Sequence, residues 1–313
     1  LSAVGLLSTV VILIGLSVYA LQSTKELVLT QTDKKIKEDA VQLVLGRGEA
    51  EVSRVTRYLH EAQIRTSILA ASLVAQKQHA QQNYLGSGIV RRSLNSQVLQ
   101  AAKSTPYALG AYAVMLPAAL GHADDTYAGQ SESGGNETGR FSVYWSRSEK
   151  GELTLENLTE DDINDTKPDV NNIPANEWFA CSIRVHAPCL LNPYKDTSNN
   201  KEMMMVTVTQ PVIEGDQLLG VVGMDISLDA LQEAIKNLDN QLFEGHGKAA
   251  LISSDAIAVS VSDMPFIPGE AVAKKDSKLS EQLKTWLKQA KVQVNWQGET
   301  LQLFIPVNNS NLP

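Results

Sequence analysis

Residues 211–231 read PVIEGDQLLGVVGMDISLDAL, and this stretch decides the fold. Glu214-Gly215-Asp216 is a turn between two apolar, β-branched runs, Met203 to Val212 and Leu218 to Ile226. Two such runs across a Gly-containing turn form an antiparallel hairpin. A helix over Ser227 to Asn240 follows directly, with Ser227 or Asp229 placed to cap its first turn. Asp225 closes the second strand. A carboxylate at the end of so apolar a run needs a partner, which is either a ligand or the start of the helix that follows.

Upstream, Tyr107 to Leu116 (YALGAYAVML) and Phe141 to Ser146 (FSVYWS) carry the same strand signal, bounded by Gly, Pro, Asn and Asp. Pro106 ends a helical region that breaks once, at Leu85-Gly86-Ser87-Gly88, and resumes to about Lys103. Before the break, Lys25 to Ala80 contains no proline, and its only glycines are Gly46 and Gly48. Val52, Val55, Leu59, Ala62, Leu69 and Leu73 recur at helical spacing, with Glu51, Arg54, Arg57, Glu61 and Arg65 between them. So long a helix exceeds what one small core needs. Leu1 to Thr24 has no charged side chain, and its apolar run to Leu21 is long enough to cross a bilayer. A transmembrane helix over 1–24 is expected, with a signal peptide as the competing reading. The start at Leu1 rather than Met suggests a trimmed chain.

Downstream, Ala249 to Ile252 and Ile257 to Ser260 pair as one hairpin, and Val292 to Trp296 with Leu301 to Val307 as another. A helix over Leu279 to Ala290 lies between them. The expected order is a membrane helix (1–24), a stalk helix (25–80), a larger unit (81–231) and a smaller one (232–313). Both units combine antiparallel strands with flanking helices, so the chain is α+β with two related modules.

The chain has 313 residues, 27 Lys+Arg against 35 Asp+Glu, and a net charge of −8. That balance argues against nucleic-acid binding, which needs clustered cations. The acidity is local: Asp124 to Asp169 holds twelve acidic and four basic side chains, a net of −8 by itself. Either this is a solvated surface, or it is a field that attracts cationic or zwitterionic ligands. The acidic run at 160–165 lacks the central glycine and terminal bidentate Glu of a calcium loop. No metal or other cofactor is expected. None of the five histidines has metal-ligand spacing, and G-x-S-x-G, H-E-x-x-H and the phosphate-binding glycine motifs are absent, so no enzymatic activity is expected. Cys181 and Cys189, the only cysteines, flank His186. A bridge would close a loop of about nine residues, worth roughly 2.5 kcal/mol; free thiols and a Cys/His/Cys metal site are the alternatives.

The polar aromatic set of the larger unit is the binding candidate. In FSVYWSR, Tyr144 shares a strand face with Ser146, and Trp145 shares the other with Arg147. Trp178 and Phe179 precede the cysteines, Tyr194 and Asp196 follow them, and Asp225 ends its strand. A carboxylate beside aromatic faces holds an ammonium group by charge and cation–π attraction. Arg147 could grip a carboxylate with its fork.

These residues resemble the double Cache (dCache) periplasmic sensor region of bacterial methyl-accepting chemotaxis receptors. The resemblance rests on the apolar first helix, on VSRVTRYLHEAQIRTSILAASL (52–73), FSVYWSR (141–147), NEWF (176–179) with NPYKD (192–196), and the GMDIS-containing stretch at 211–231. It implies two stacked PAS-like modules on a long N-terminal helix. The first module would bind a small polar molecule (amine, amino acid or organic acid) and signal across the inner membrane, with residues after about 24 in the periplasm. It also implies a homodimer through the long helix. Histidine kinase or diguanylate cyclase output, and a ligand-free exported structural protein, are the alternatives. In amino-acid-binding members an Arg two residues before the Trp grips the ligand carboxylate. Asn176 stands there in this chain, whereas Trp178, Phe179, Tyr194, Asp196 and Asp225 match the aromatic and acidic positions.

Overall fold

The computed structural model describes residues 3–121, 124–148, 150–198, 201–242 and 247–307, without the side chains of 3–21 and 196–198, among a few others. Its elements divide into two compact units. One comprises Leu1–Glu49 with Val292–Ile305, and the other Ala50–Lys291 with Pro306–Pro313.

The larger unit is built on a seven-stranded antiparallel sheet. Its strands are β1 (Ala108–Met115), β2 (Ser142–Arg147), β3 (Leu153–Glu156), β4 (Cys189–Leu190), β5 (Tyr194–Ser198), β6 (Lys201–Glu214) and β7 (Gln217–Ser227). They run in the order β3-β2-β1-β7-β6-β4, with β5 also on β6. The β6–β7 hairpin turns at Gly215, whose φ of +60° is the left-handed conformation that glycine adopts freely. Central β1 and the inner part of β7 are buried on both faces and read as apolar runs rather than alternating ones.

One face of the sheet packs on helices α1 (Ala3–Gln82) and α2 (Ser87–Lys103). Val55, Leu59, Ala62, Leu69 and Leu73 of α1 are buried there, as the helical spacing predicts. They meet Leu94 and Val98 of α2 and Val143, Val208, Val222 and Met224 of the strands. The opposite face carries a smaller core of Tyr112, Val114, Tyr144, Ile163, Trp178, Phe179, Leu191 and Val221. Two short helices, α3 (Glu160–Asn164) and α4 (Glu177–Val185), precede this core's last strands.

Helix α5 (Leu228–Gln241) starts at Ser227, whose hydroxyl accepts from Asp229 N at 3.0 Å. Asp225 is therefore not the cap. Beyond α5, β8 (Ala250–Ile252) pairs with β9 (Ala258–Val261), and α6 (Ser277–Gln289) follows, capped by Asp276. In the smaller unit, β10 (Gln293–Gln297) and β11 (Thr300–Phe304) form a two-stranded hairpin, and Lys37 Nζ lies 5.8 Å from the Trp296 ring. Among the described residues no helix is long and apolar enough to cross a membrane; of the span expected at 1–24, residues 1–2 and most side chains lie outside those described.

Candidate functional site

The floor of the site is set by register across three strands. Tyr112 of β1 stands opposite Tyr144 of β2 on one side and Gly223 of β7 on the other. A Cβ at Gly223 would lie 2.2 Å from Tyr112 Cζ, so the ring rests directly on the neighbouring strand. Only glycine leaves that room. Tyr112 donates its hydroxyl proton to Trp178 O at 2.7 Å, and the Trp178 ring meets the Tyr112 ring edge-on at 5.2 Å. Burial, and then the nearby Asp225 carboxylate, push the Tyr112 hydroxyl well above its ordinary pKa. It stays a neutral donor that fixes α4 over the sheet.

One row further along the same face, Asp225 opposes Gly110 on β1 and Thr207 on β6. Asp225 is 4% exposed and accepts from Thr207 Oγ1 at 2.6 Å. Tyr194 Oη lies 2.8 Å from the same hydroxyl. Since Thr207 has one proton and gives it to Asp225, Tyr194 donates to Thr207. This relay orients the carboxylate, and Tyr112, Tyr144, Trp178 and Tyr194 line the same cavity with rings.

Above the floor lies a cavity of about 1000 Å³. Its walls come from the end of β3, from α3 and the loop 165–175, from the first turn of α4, from residues 190–195, and from segments flanking β9. Eight carboxylates line it: Glu156, Asp162, Asp165, Asp169, Glu177, Asp225, Asp255 and Glu270. Lys195 is the one cation among its described lining residues. Three acids also meet cations set back from the cavity: Glu177 pairs with Arg184 at 2.5 Å, Asp165 with Lys167 at 3.9 Å and Glu270 with Lys274 at 3.8 Å. Carboxylates still outnumber the cations two to one. A concave, ring-lined space with that excess attracts cations and disfavours anions.

The structure brings Tyr144, Trp178, Tyr194 and Asp225 together on this cavity. Phe179 lies behind them in the small core, its ring 5.8 Å from that of Trp178. Cys181 of α4 and Cys189 of β4 are joined, and Cys181 lines the cavity. Trp145 and Arg147 are placed elsewhere, because strand alternation turns them to the helix-covered face. Trp145 Nε1 donates to Asn95 Oδ1 at 2.7 Å, and Arg147 donates to Ala102 O at 2.6 Å and Ala108 O at 3.1 Å. Arg147 thus satisfies carbonyls at the end of α2 rather than facing the cavity. The Asp196 side chain lies outside the described residues. Asn176 Nδ2 donates to Ile163 O at 2.9 Å, so its side chain holds α3 to α4. Tyr112 and seven of the eight acids are additions to the sequence expectation. The concentration of negative charge between 124 and 169 was the one signal for four of those seven. Among the described residues no group of three or more His, Cys, Asp or Glu is arranged to hold a metal ion.

Residues 94–233 match the family model described as methyl-accepting chemotaxis protein-like, first PDC sensor domain. The methyl-accepting chemotaxis protein TlpQ of Pseudomonas aeruginosa is 28% identical over 98% of this chain. The chain spans 43% of that relative's length. Among solved structures, methyl-accepting chemotaxis protein X aligns over 86% of this chain and 92% of its own, with a TM-score of 0.67 and 19% identity. The periplasmic sensory domain of the Campylobacter jejuni chemoreceptor Tlp1 aligns over 79% and 80%, with a TM-score of 0.55 and 12% identity. Residues 94–233 thus match a first PDC sensor domain of the methyl-accepting chemotaxis protein-like type, and the chain shares the fold of solved chemoreceptor sensory domains.

Proposed function

We propose that this sensor region binds a small organic cation in the acid-lined cavity, with an ammonium group against Asp225 and the rings of Tyr144, Trp178 and Tyr194. The observation that carries this is the cavity itself: eight carboxylates and one lysine around a buried, hydroxyl-oriented Asp225. A ligand carboxylate would need a facing cation. Asn176 stands where amino-acid-binding relatives carry Arg and spends its side chain on Ile163 O, and Arg147 is occupied on the far side of the sheet. Amines therefore fit better than amino acids or organic acids. The reading is one of binding, with no chemical step.

In this reading the cavity lies in the periplasm, the chain is anchored in the inner membrane through 1–24, and occupancy biases two conformations whose difference is passed to a chemotaxis output. The signal equals the difference in ligand affinity between those conformations. The likeness to TlpQ over nearly the whole chain supports chemotaxis as the output. A homodimer through α1 is part of the same proposal. It is supported by Leu29, Ile36 and Leu43, exposed at seven-residue intervals, the period of a helix-pairing seam. Ile36→Glu should then lower the mass measured by light scattering toward that of one chain.

The ligand reading is tested by a thermal-shift screen of the chain against alkylamines, diamines, arylalkylamines, amino acids and organic acids. Stabilisation by amines alone, with Tm rising as ligand concentration rises, is the expected outcome. Stabilisation by organic acids and not amines would refute it.

A further inference from the structure

The cavity wall includes Ser254, Asp255, Ile267, Pro268, Gly269 and Glu270, residues that belong with β9 rather than with the seven-stranded sheet. Two asparagine side chains from the other side of the cavity reach across to them. Asn171 Nδ2 donates to Gly269 O at 2.7 Å, and Asn192 Nδ2 donates to Asp255 Oδ2 at 2.7 Å. Asn171 is itself set by Asp169, whose Oδ1 accepts from Asn171 N at 2.7 Å and Ile173 N at 2.9 Å. Asp169 lines the cavity, so the tie begins on a residue that a cation would touch.

From Gly269 the connection continues by backbone alone. Gly269 N donates to Ala258 O at 2.8 Å, Ala258 N to Glu270 O at 3.0 Å, and Ile257 bridges Ala271. Strand β9 is in turn clamped to α5, where Gln232 Oε1 accepts from Ser260 Oγ at 2.7 Å and Val261 N at 3.2 Å. Gly269 has φ +82°, a backbone conformation that other residues rarely adopt, so this crossing point favours glycine.

Resting on the cation-binding reading above, we propose that Asn171 and Asn192 are positioning residues that hold the 254–255 and 267–270 segments as a wall of the cavity. A ligand lying between Asp225 and that wall is then read by the sheet and by β9 together. The second hairpin region is part of the binding site, with Asp255 and Glu270 as its specificity-determining groups. Occupancy tightens the 267–271 segment on β9, and β9 carries the change to α5.

The probe is butane-1,4-diamine, whose two ammonium groups suit acids on the floor and on this wall. Its affinity is measured by calorimetry, and amide hydrogen exchange is followed at Gly269 and 258–261. In the parent chain, diamine should slow exchange at those amides. Asn171→Ala should bind about 5-fold more weakly, the usual effect of one lost neutral hydrogen bond, and should lose the slowing at 258–261. A merely structural asparagine would alter basal exchange without removing the ligand-dependent part. Asn192→Ala, at a more exposed tie, repeats the test if Asn171→Ala does not fold. Diamine binding with unchanged exchange at 258–261, or slowing retained in both variants, overturns this inference and leaves the cation reading intact. If no amine binds at all, both fall together.

Discussion

Replacing Asp225 by Asn is the perturbation that separates a ligand carboxylate from a structural one. The side chain is 4% exposed, and among its contacts it accepts a hydrogen bond from Thr207 Oγ1 at 2.6 Å. Asparagine has nearly the same shape, and its Oδ1 can keep that bond. What changes is the charge and one acceptor that becomes a donor. In the free chain the loss of a buried charge is neutral or stabilising, within about 1 kcal/mol, because desolvating the carboxylate was costly. In the complex, a charge-assisted hydrogen bond to an ammonium is worth about 1.5–3 kcal/mol, which is roughly 10- to 150-fold in Kd. Binding and stability are therefore expected to move independently: amine affinity falls by one to two orders of magnitude, while the urea midpoint of the free chain stays within its error. Calorimetry and denaturation on the same preparation provide both numbers. Equal amine affinity in parent and Asp225→Asn would refute the assignment. So would a loss of stability that matches the loss of binding, since Asp225 would then be a structural member of the sheet.

Other outcomes follow from geometry on the same footing. Trp145→Phe removes the indole bond to Asn95 on the helix-covered face, and should cost about 1 kcal/mol by urea denaturation with unchanged amine affinity. Replacing Cys181 and Cys189 together by Ser removes a short-loop crosslink, for a loss of about 2–3 kcal/mol in the same assay. Glu214 meets Lys77 at 2.5 Å, and that hydrogen bond holds its carboxyl below the ordinary value. A lowered folded-state pKa means the pair stabilises above the unfolded value, and that contribution is lost as pH falls through the folded one. Glu214→Gln should therefore flatten the fall of Tm between about pH 5 and 3.

Much of the fold was legible because its signals are local. The Glu214-Gly215-Asp216 turn, the runs on either side, and the serine that opens α5 lie within a single stretch, and the structure places β6, β7 and α5 there. The stripe from Val55 to Leu73 gave the buried face of α1. Helix α4 was not foreseen. It spans nine residues and its first residue follows an asparagine whose side chain makes no cap bond, so packing of Trp178 and Phe179 sustains it rather than local propensity. Helix α3 did carry a readable sign, the reciprocal capping box of Thr159 and Asp162.

The site was legible to the depth of one strand. Alternation tells that Tyr144 and Trp145 face opposite ways, but not which way is the cavity; only the packing of α1 and α2 on the Trp145 side distinguishes them. Asp225 stood out because a carboxylate is conspicuous among Val, Gly and Met. The wall acids did not. Asp162, Asp165 and Asp169 sit in a polar stretch where concentrated charge does not tell a cavity wall from a solvated surface, and Asp255 and Glu270 arrive from far along the chain. Which loop folds over which cavity depends on contacts between distant segments, and no local pattern records that.

The tyrosine resting on Gly223 restricts how this chamber can be altered. A ring seated on bare backbone has no slack beneath it, so any side chain introduced at that glycine displaces Tyr112, and with it the carbonyl of Trp178 that anchors α4. Substitutions that reshape the chamber without disturbing this floor are therefore those in the surrounding loops, where exposed residues can be exchanged cheaply.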